Sequence, residues 1–379
     1  MTDKIYNIPA GCAFAEVLAG HFLREYRGRE LELTDVLFLL PNRRAVKALK
    51  DAFVRLQGLA PTLLPQMLPI GDVEEDELFL TGFDQSSALA TLAPAISRAE
   101  RLLLFTKIIM AKPIEYGIEK LAANQACYLA QELANLIDTV HNQGLSFDRL
   151  TDLVPEEYAV HWQETLKFLQ IITEYWPQIL AERQLIDASD RRNRLLRAQI
   201  DLWRQNPPVK RIVAAGTTAA FPLMKELVKT VLSLEKGELY LAGIDKFLED
   251  EAWEKIDETH PQHELKELLD YLTVRREDIP DLQAPENFGR EVLISEVMRP
   301  AATTEKWRDI AGKKIRHEAA DGITLVNCAD MREEALTIAL LLREAVETPE
   351  KTAALVTGDR NLARRVAAEL ERWNLKVDD

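Results

Sequence analysis

With 379 residues, the chain exceeds one compact core and fits two or three domains of roughly 100 to 200 residues each. A hydrophobic fraction of 47% beside 29% charged residues is ordinary for a soluble globular protein. A net charge of −15 argues against strong sequence-independent nucleic-acid binding by the chain taken alone, because that affinity comes from Lys and Arg neutralising phosphates. It leaves room for a locally basic groove. No apolar run nears the roughly 20 residues of a membrane span, and M-T-D-K at the start lacks the basic-then-apolar layout of a signal peptide, so the expected location is the cytoplasm. Cys12, Cys127 and Cys328 lie far apart with no metal-ligand spacing, and read as free buried thiols in a reducing compartment.

In chain order, Lys4 to Ile8 is a short buried strand. The helix after it, Ala13 to Tyr26, carries Phe14, Val17, Leu18, Phe22 and Leu23 on one face. Between them lies the outline of a phosphate loop. A working loop needs GxxxxGK(S/T), with glycines for backbone N–H groups, a Lys for the phosphates and a hydroxyl for Mg²⁺. With Gly11 ending the small-residue turn, Ala13 stands at the last Gly, Phe14 at the Lys and Ala15 at the Ser/Thr. Asp35 to Leu40 is a second strand, closed by Pro41-Asn42, and a helix follows from Arg43 to Leu56. Two strand-turn-helix units predict a parallel sheet with crossover helices. The three prolines of Pro61 to Pro69 predict a loop over the sheet edge, and the acidic run Asp72 to Glu77 a solvated face.

From Ser97 to Asn206 the periodicity is helical throughout, with amphipathic stretches at Glu119 to Gln143, His161 to Gln184 and Asp187 to Asn206. The last is rich in arginine, at Arg191, Arg192, Arg194, Arg197 and Arg204. Its reading as a solvated face competes with a surface that guides duplex or packs on a partner. The sheet resumes at Arg211 to Ala215, closed by Gly216-Thr217-Thr218 and a helix to Leu234, and again at Glu238 to Ala242, closed by Gly243-Ile244-Asp245. A helix spans His263 to Leu272. His260 and His263, with Glu264 beside them, mimic a metal pair but lack a third ligand and read as structural. A third α/β segment is predicted from strands at Gly322 to Val326, Thr352 to Val356 and Leu375 to Val377, with helices from Met331 to Val346 and from Asp359 to Trp373. Its abrupt end after K-V-D-D is that expected of a piece of a longer protein.

A βα sheet with a phosphate-loop position on its first strand, a helical insertion and a second α/β segment is the plan of superfamily 1 helicases. The runs I-P-A-G-C-A-F-A-E-V-L-A (Ile8 to Ala19), L-F-L-L-P-N-R-R-A (Leu37 to Ala45), A-A-G-T-T (Ala214 to Thr218), H-P-Q-H-E-L-K-E-L-L-D (His260 to Asp270) and A-L-V-T-G-D-R-N-L-A-R-R-V-A (Ala354 to Ala367) resemble the AddB subunits of AddAB helicase-nucleases, the branch with a degenerate first motif. The resemblance covers nearly the whole chain and corresponds to roughly the N-terminal third of such a subunit. It implies an α/β fold with a RecA-like parallel sheet at 1–95 and 207–300, an all-helical subdomain at 96–206, and the start of a second α/β domain at 301–379.

By that resemblance, Gly11, Cys12, Ala13, Phe14 and Ala15 are a relic phosphate loop. Asn42, Arg43 and Arg44 match the motif that touches the DNA backbone, although a capped helix start with solvated arginines accounts for them equally. Gly216 to Thr218 replace the acidic pair that would hold Mg²⁺, and Gly243-Ile244-Asp245 resembles a third motif that lacks its Gln. The resemblance implies no catalytic residue, cofactor or metal in this stretch, with an exonuclease, its Mg²⁺ and an iron-sulfur cluster in a domain downstream of Asp379. The implied partners are an AddA-type helicase-nuclease subunit, which supplies translocation, and DNA as duplex end and single strand, with no membrane. Two other readings stand beside it: an active P-loop NTPase with an unusual loop, against which Phe14 counts, and a helical interaction module without a DNA role, which the net charge favours.

Overall fold

The computed structural model describes residues 2–58, 63–70, 92–111, 121–147, 168–312, 317–349 and 351–377. The chain forms two units, Met1–Ala319 and Ala320–Asp379.

The first unit is built on five parallel strands in the order β1-β5-β4-β2-β3. They are β1 (Ile5–Ile8), β2 (Val36–Leu40), β3 (Gln66–Pro69), β4 (Arg211–Ala215) and β5 (Gly237–Ala242). β2 and β4, V-L-F-L-L and R-I-V-A-A, are buried at every residue, as parallel strands covered on both faces must be. Alternation along each strand divides the core in two. Phe38, Leu40, Val213 and Tyr240 face α1 (Phe14–Glu25) and α2 (Arg43–Gln57) through Val17, Leu18, Phe22, Leu49 and Phe53. Leu37, Leu39, Ile212, Leu239 and Leu241 belong to the opposite core, with side chains of four later helices.

The expected proline loop at 61–69 is corrected at its end. Gln66–Pro69 pairs in parallel with β2, Phe38 opposite Met67 and Leu40 opposite Pro69. Proline cannot donate to a ladder, but at the end of an edge strand no donor is required. Residues 61 and 62 and the acidic run at 72–77 lie outside the described residues.

Between β3 and β4 the described chain is helical, in α3 (Arg98–Ala111), α4 (Ala123–Asn142), α5 (Trp176–Arg183) and α6 (Ala188–Gln205). A separate core of Phe105, Ile109, Ala126, Ala130, Leu133, Ile137, Ile172 and Trp176 holds α3, α4 and α5 together. Buried Arg101 of α3 ties it to α4 and to the start of α6, donating to Asp138 at 2.9 Å and standing 3.2 Å from Asp187. α6 turns Leu196, Ile200 and Trp203 to the sheet. After β4 comes α7 (Pro222–Ser233), and after β5 the short α8 (Asp250–Glu254), α9 (His263–Leu272) and α10 (Phe288–Val297).

In the second unit, α11 (Met331–Glu347) and α12 (Arg360–Glu371) pack through Ala335, Ala339, Leu362, Val366 and Leu370. The strands expected at 322–326, 352–356 and 375–377 are absent: these runs have no regular secondary structure, and Leu325 and Val356 are 84% and 93% exposed. An apolar run becomes a strand only when a neighbour accepts its hydrogen bonds, and no described strand does. Cys12 is buried as expected, whereas Cys127 and Cys328 are only half-buried; all three are free.

Candidate site at the C-terminal edge of the sheet

In an open parallel sheet, ligands bind beyond the carboxyl ends of the strands, where adjacent connections leave toward opposite faces. The helices after β1 and β2 lie on one face and those after β4 and β5 on the other. The two crevices therefore fall between β2 and β4 and between β1 and β5. The sequence-predicted loops converge there, at Gly11 to Ala15, Pro41 to Arg44, Gly216 to Thr218 and Gly243 to Asp245.

Two glycines allow the convergence. Gly216 has φ +67°, a conformation that strains any residue with a Cβ, and a Cβ there would lie 3.3 Å from the ring of Phe14 and 4.0 Å from Pro41. Gly243, at φ +69°, faces Ala10, which a Cβ would meet at 3.1 Å. Its N–H donates to Ile8 O at 2.8 Å. Phe14 is the first residue of α1 and half-buried against the Phe38 core. Ala13, at the N-cap, offers no side-chain bond to the helix. Gly11 N instead donates to Glu291 Oε1 of α10 at 2.6 Å. Neither Glu291 nor its role was evident in the sequence; Asn287, the N-cap of α10, could have marked the helix but not what it faces.

The remaining loop residues are occupied by the fold. Thr217 Oγ1 accepts from Ala219 N at 3.1 Å, and Thr218 Oγ1 donates to Glu264. Asp245 Oδ1 accepts from Phe247 N at 2.9 Å and Leu248 N at 3.0 Å, so this carboxylate closes a turn. His260 Nδ1 accepts from Gln262 N at 3.1 Å while its Nε2–H donates to Met298 O at 2.6 Å. His263 Nε2 stands 3.6 Å from Glu267. Among the described residues no cluster of His, Cys, Asp and Glu is placed to hold a metal ion. A cleft of about 190 Å³ between β2 and β4 is lined by Pro41, Thr217, Thr218 and Phe221, with Arg192 and Asn193 of α6 at its wall.

Asn42 is the N-cap of α2, its Oδ1 accepting from Ala45 N at 2.9 Å. Arg43 and Arg44 are exposed, and so are Lys47 and Lys50 on the same helix. At steps of three and four residues these cations form one stripe, and Lys47 and Lys50 extend the sequence-predicted set. The arginines of α6 divide otherwise. Arg191 donates to Ala93 O at 2.9 Å, Arg192 to Asn142, Arg194 to Asp190 at 3.0 Å, and Arg204 to Glu226 at 2.8 Å. They join the helical insertion to itself and to α7, while Arg197 is exposed.

At the opposite end of the sheet, Arg211 donates to Glu25 at 2.6 Å and to both oxygens of Glu238 at 2.8 Å, with its guanidinium 4.6 Å over the Phe22 ring. Tyr240 OH donates to Glu238 at 3.0 Å; burial first, and then the Glu238 charge, push its ionisation well above the usual tyrosine range. Burial also lowers the His21 imidazole, against the pull of Glu25 3.7 Å away. This network lies where no strand ends in a ligand-facing loop, and its work is structural. No helix of the described residues is long and apolar enough to cross a membrane. No protein-family model matches the chain, and no curated protein matches it.

Proposed function

We propose that the chain is a non-catalytic, helicase-like part of the B subunit of a bacterial helicase-nuclease for double-strand-break repair and homologous recombination. In this reading the RecA-like sheet serves as a scaffold that binds DNA and docks an AddA-type partner, and the phosphate loop is a relic. The observation that carries it is the Phe14 ring lying against Gly216, where a working site would face a Lys toward an acidic pair. Phosphoryl transfer rests on positioned cations and a metal. An apolar ring against a glycine supplies neither.

DNA contact is assigned to the stripe begun by Asn42, Arg43 and Arg44, with Asn42 fixing the helix start and the cations meeting phosphates. Such contacts position DNA and carry no sequence information. The test uses the complete two-subunit complex carrying Arg43→Ala and Arg44→Ala. Expected is weaker DNA binding whose log–log salt dependence flattens by about 0.9 for each phosphate that the variant leaves unneutralised, with DNA sequence preference unchanged. Unaltered affinity and salt dependence would remove the DNA role. Saturable ATP binding to this chain would favour the active NTPase instead.

A further inference from the structure

The segment leading into α10 lies across the loop that follows β1. Asn7 N donates to Pro280 O at 2.9 Å, and Leu282 N donates to Asn7 O at 2.7 Å, which makes one parallel bridge between Asn7 and Asp281 beside β1. The buried Asn7 side chain links three pieces of chain, donating to Asp281 Oδ1 at 2.7 Å and accepting from Ile244 N at 3.0 Å. Lys246 Nζ holds the same Asp281 oxygen at 2.6 Å. Further on, Gln283 Nε2 and Ala284 O stand 3.8 and 3.6 Å from Cys12 Sγ. Leu282 packs into the core beneath α1. One turn into α10, Glu291 returns its carboxylate to Gly11 N at 2.6 Å. A Cβ on Gly11 would lie 2.9 Å from that same oxygen, so any larger residue there would make the flexible carboxylate shift.

We infer that residues 279–291 are a strap and Glu291 its latch: an anion supplied by the chain itself, seated on the loop's backbone N–H and closing the loop to phosphate-bearing ligands. A backbone N–H just before a helix start attracts negative charge, and a carboxylate that accepts from it forms a charge-assisted bond. Because the carboxylate is tethered, it competes at the high effective concentration of an intramolecular partner. The loss of the phosphate-binding Lys is thus accompanied by a gain, a permanent internal occupant. This inference rests on the proposed reading of the loop as a relic phosphate loop, and holds whether or not α2 touches DNA.

The test compares the unmodified chain with Glu291→Gln and Glu291→Ala at constant ionic strength, with inorganic phosphate replacing chloride. The amide resonance of Gly11 reports the loop, and the rate of Cys12 labelling by a thiol reagent reports the strap, with Cys127 and Cys328 as internal references. In the unmodified chain Gly11 is expected to ignore phosphate. In Glu291→Gln, which keeps the shape and loses the charge, Gly11 should shift saturably with phosphate. In Glu291→Ala the shift should be larger and Cys12 should label about tenfold faster, as loss of a hydrogen bond to a charged group implies, at unchanged rates for Cys127 and Cys328. Should Glu291→Ala not fold, Glu291→Gln alone decides. An equal phosphate response in the unmodified chain, or none in Glu291→Gln, would overturn the latch.

Discussion

At Gly216 one missing Cβ serves two purposes. It permits φ +67° and it leaves room for the Phe14 ring, 3.3 Å from where that carbon would be. Gly216→Ala should therefore lose about 1 to 2 kcal/mol from the left-handed backbone, and more from displacing the ring. In a Phe14→Ala background only the backbone part should remain, so a double-mutant cycle by urea unfolding should show the two sites coupled. Additive losses would mean that the ring does not depend on the glycine. His21 gives a pH-dependent counterpart. Burial holds its imidazole below the usual value of 6.5, so below pH 6.5 the unfolded chain binds the proton more readily than the folded one. Its contribution to stability is present above pH 6.5 and is lost as the pH falls through the lower folded value. His21→Phe should flatten that part of the profile of unfolding free energy against pH.

Two helices show how far an element can be read from its sequence. α2 was legible to its first residue, because Asn42 is a strong N-cap and Val46, Leu49 and Phe53 repeat at helical steps. Its cationic stripe was only half legible: Arg43 and Arg44 stood out beside Pro41, whereas Lys47 and Lys50 join the stripe through their exposure, which spacing alone does not fix. In α6 the same residue type misleads. Arg191, Arg192 and Arg204 find partners at Ala93, Asn142 and Glu226, all distant in the chain or on another helix, so no local pattern distinguishes a guanidinium that braces a domain from one that meets a phosphate. β3 failed for the reverse reason. Its prolines argued for a loop, and only the pairing of Met67 and Leu68 with β2 reveals an edge where a proline is tolerated.

For the molecule as a whole, the sheet was legible because every strand of β1, β2, β4 and β5 is a short apolar run closed by a turn, a signal that survives without partners. The second unit shows the limit of that signal, since 322–326 and 352–356 carry the same pattern yet form no strand. Hydrogen exchange should separate the two cases. Amides of β2 and β4 are expected to be protected at the level of global unfolding, while 324–326 and 352–356 should exchange like an open chain. Strong protection in those two runs would mean that they pair after all. At the sheet edge, Phe14 and Gly216 to Thr218 were singled out in the sequence, and the structure brings Phe14 and Gly216 together. Glu291 was not singled out, because the residue it meets lies 280 positions away.

The neighbour relation of β1 and β5 has a consequence for how the protein is made. Lys4, just ahead of β1, donates to Leu234 O, 230 residues downstream, and among the described strands β1 is flanked by β5 alone. At a synthesis rate of about 5 to 20 residues per second, the first strand waits roughly 10 to 50 s for its companion to leave the ribosome. During that interval β2 can already recruit β3, and the helical insertion can close its own core. β1 is thus paired later than β2 and β3, and chaperone occupancy during translation should persist over Ile5 to Ile8 until β5 has been made.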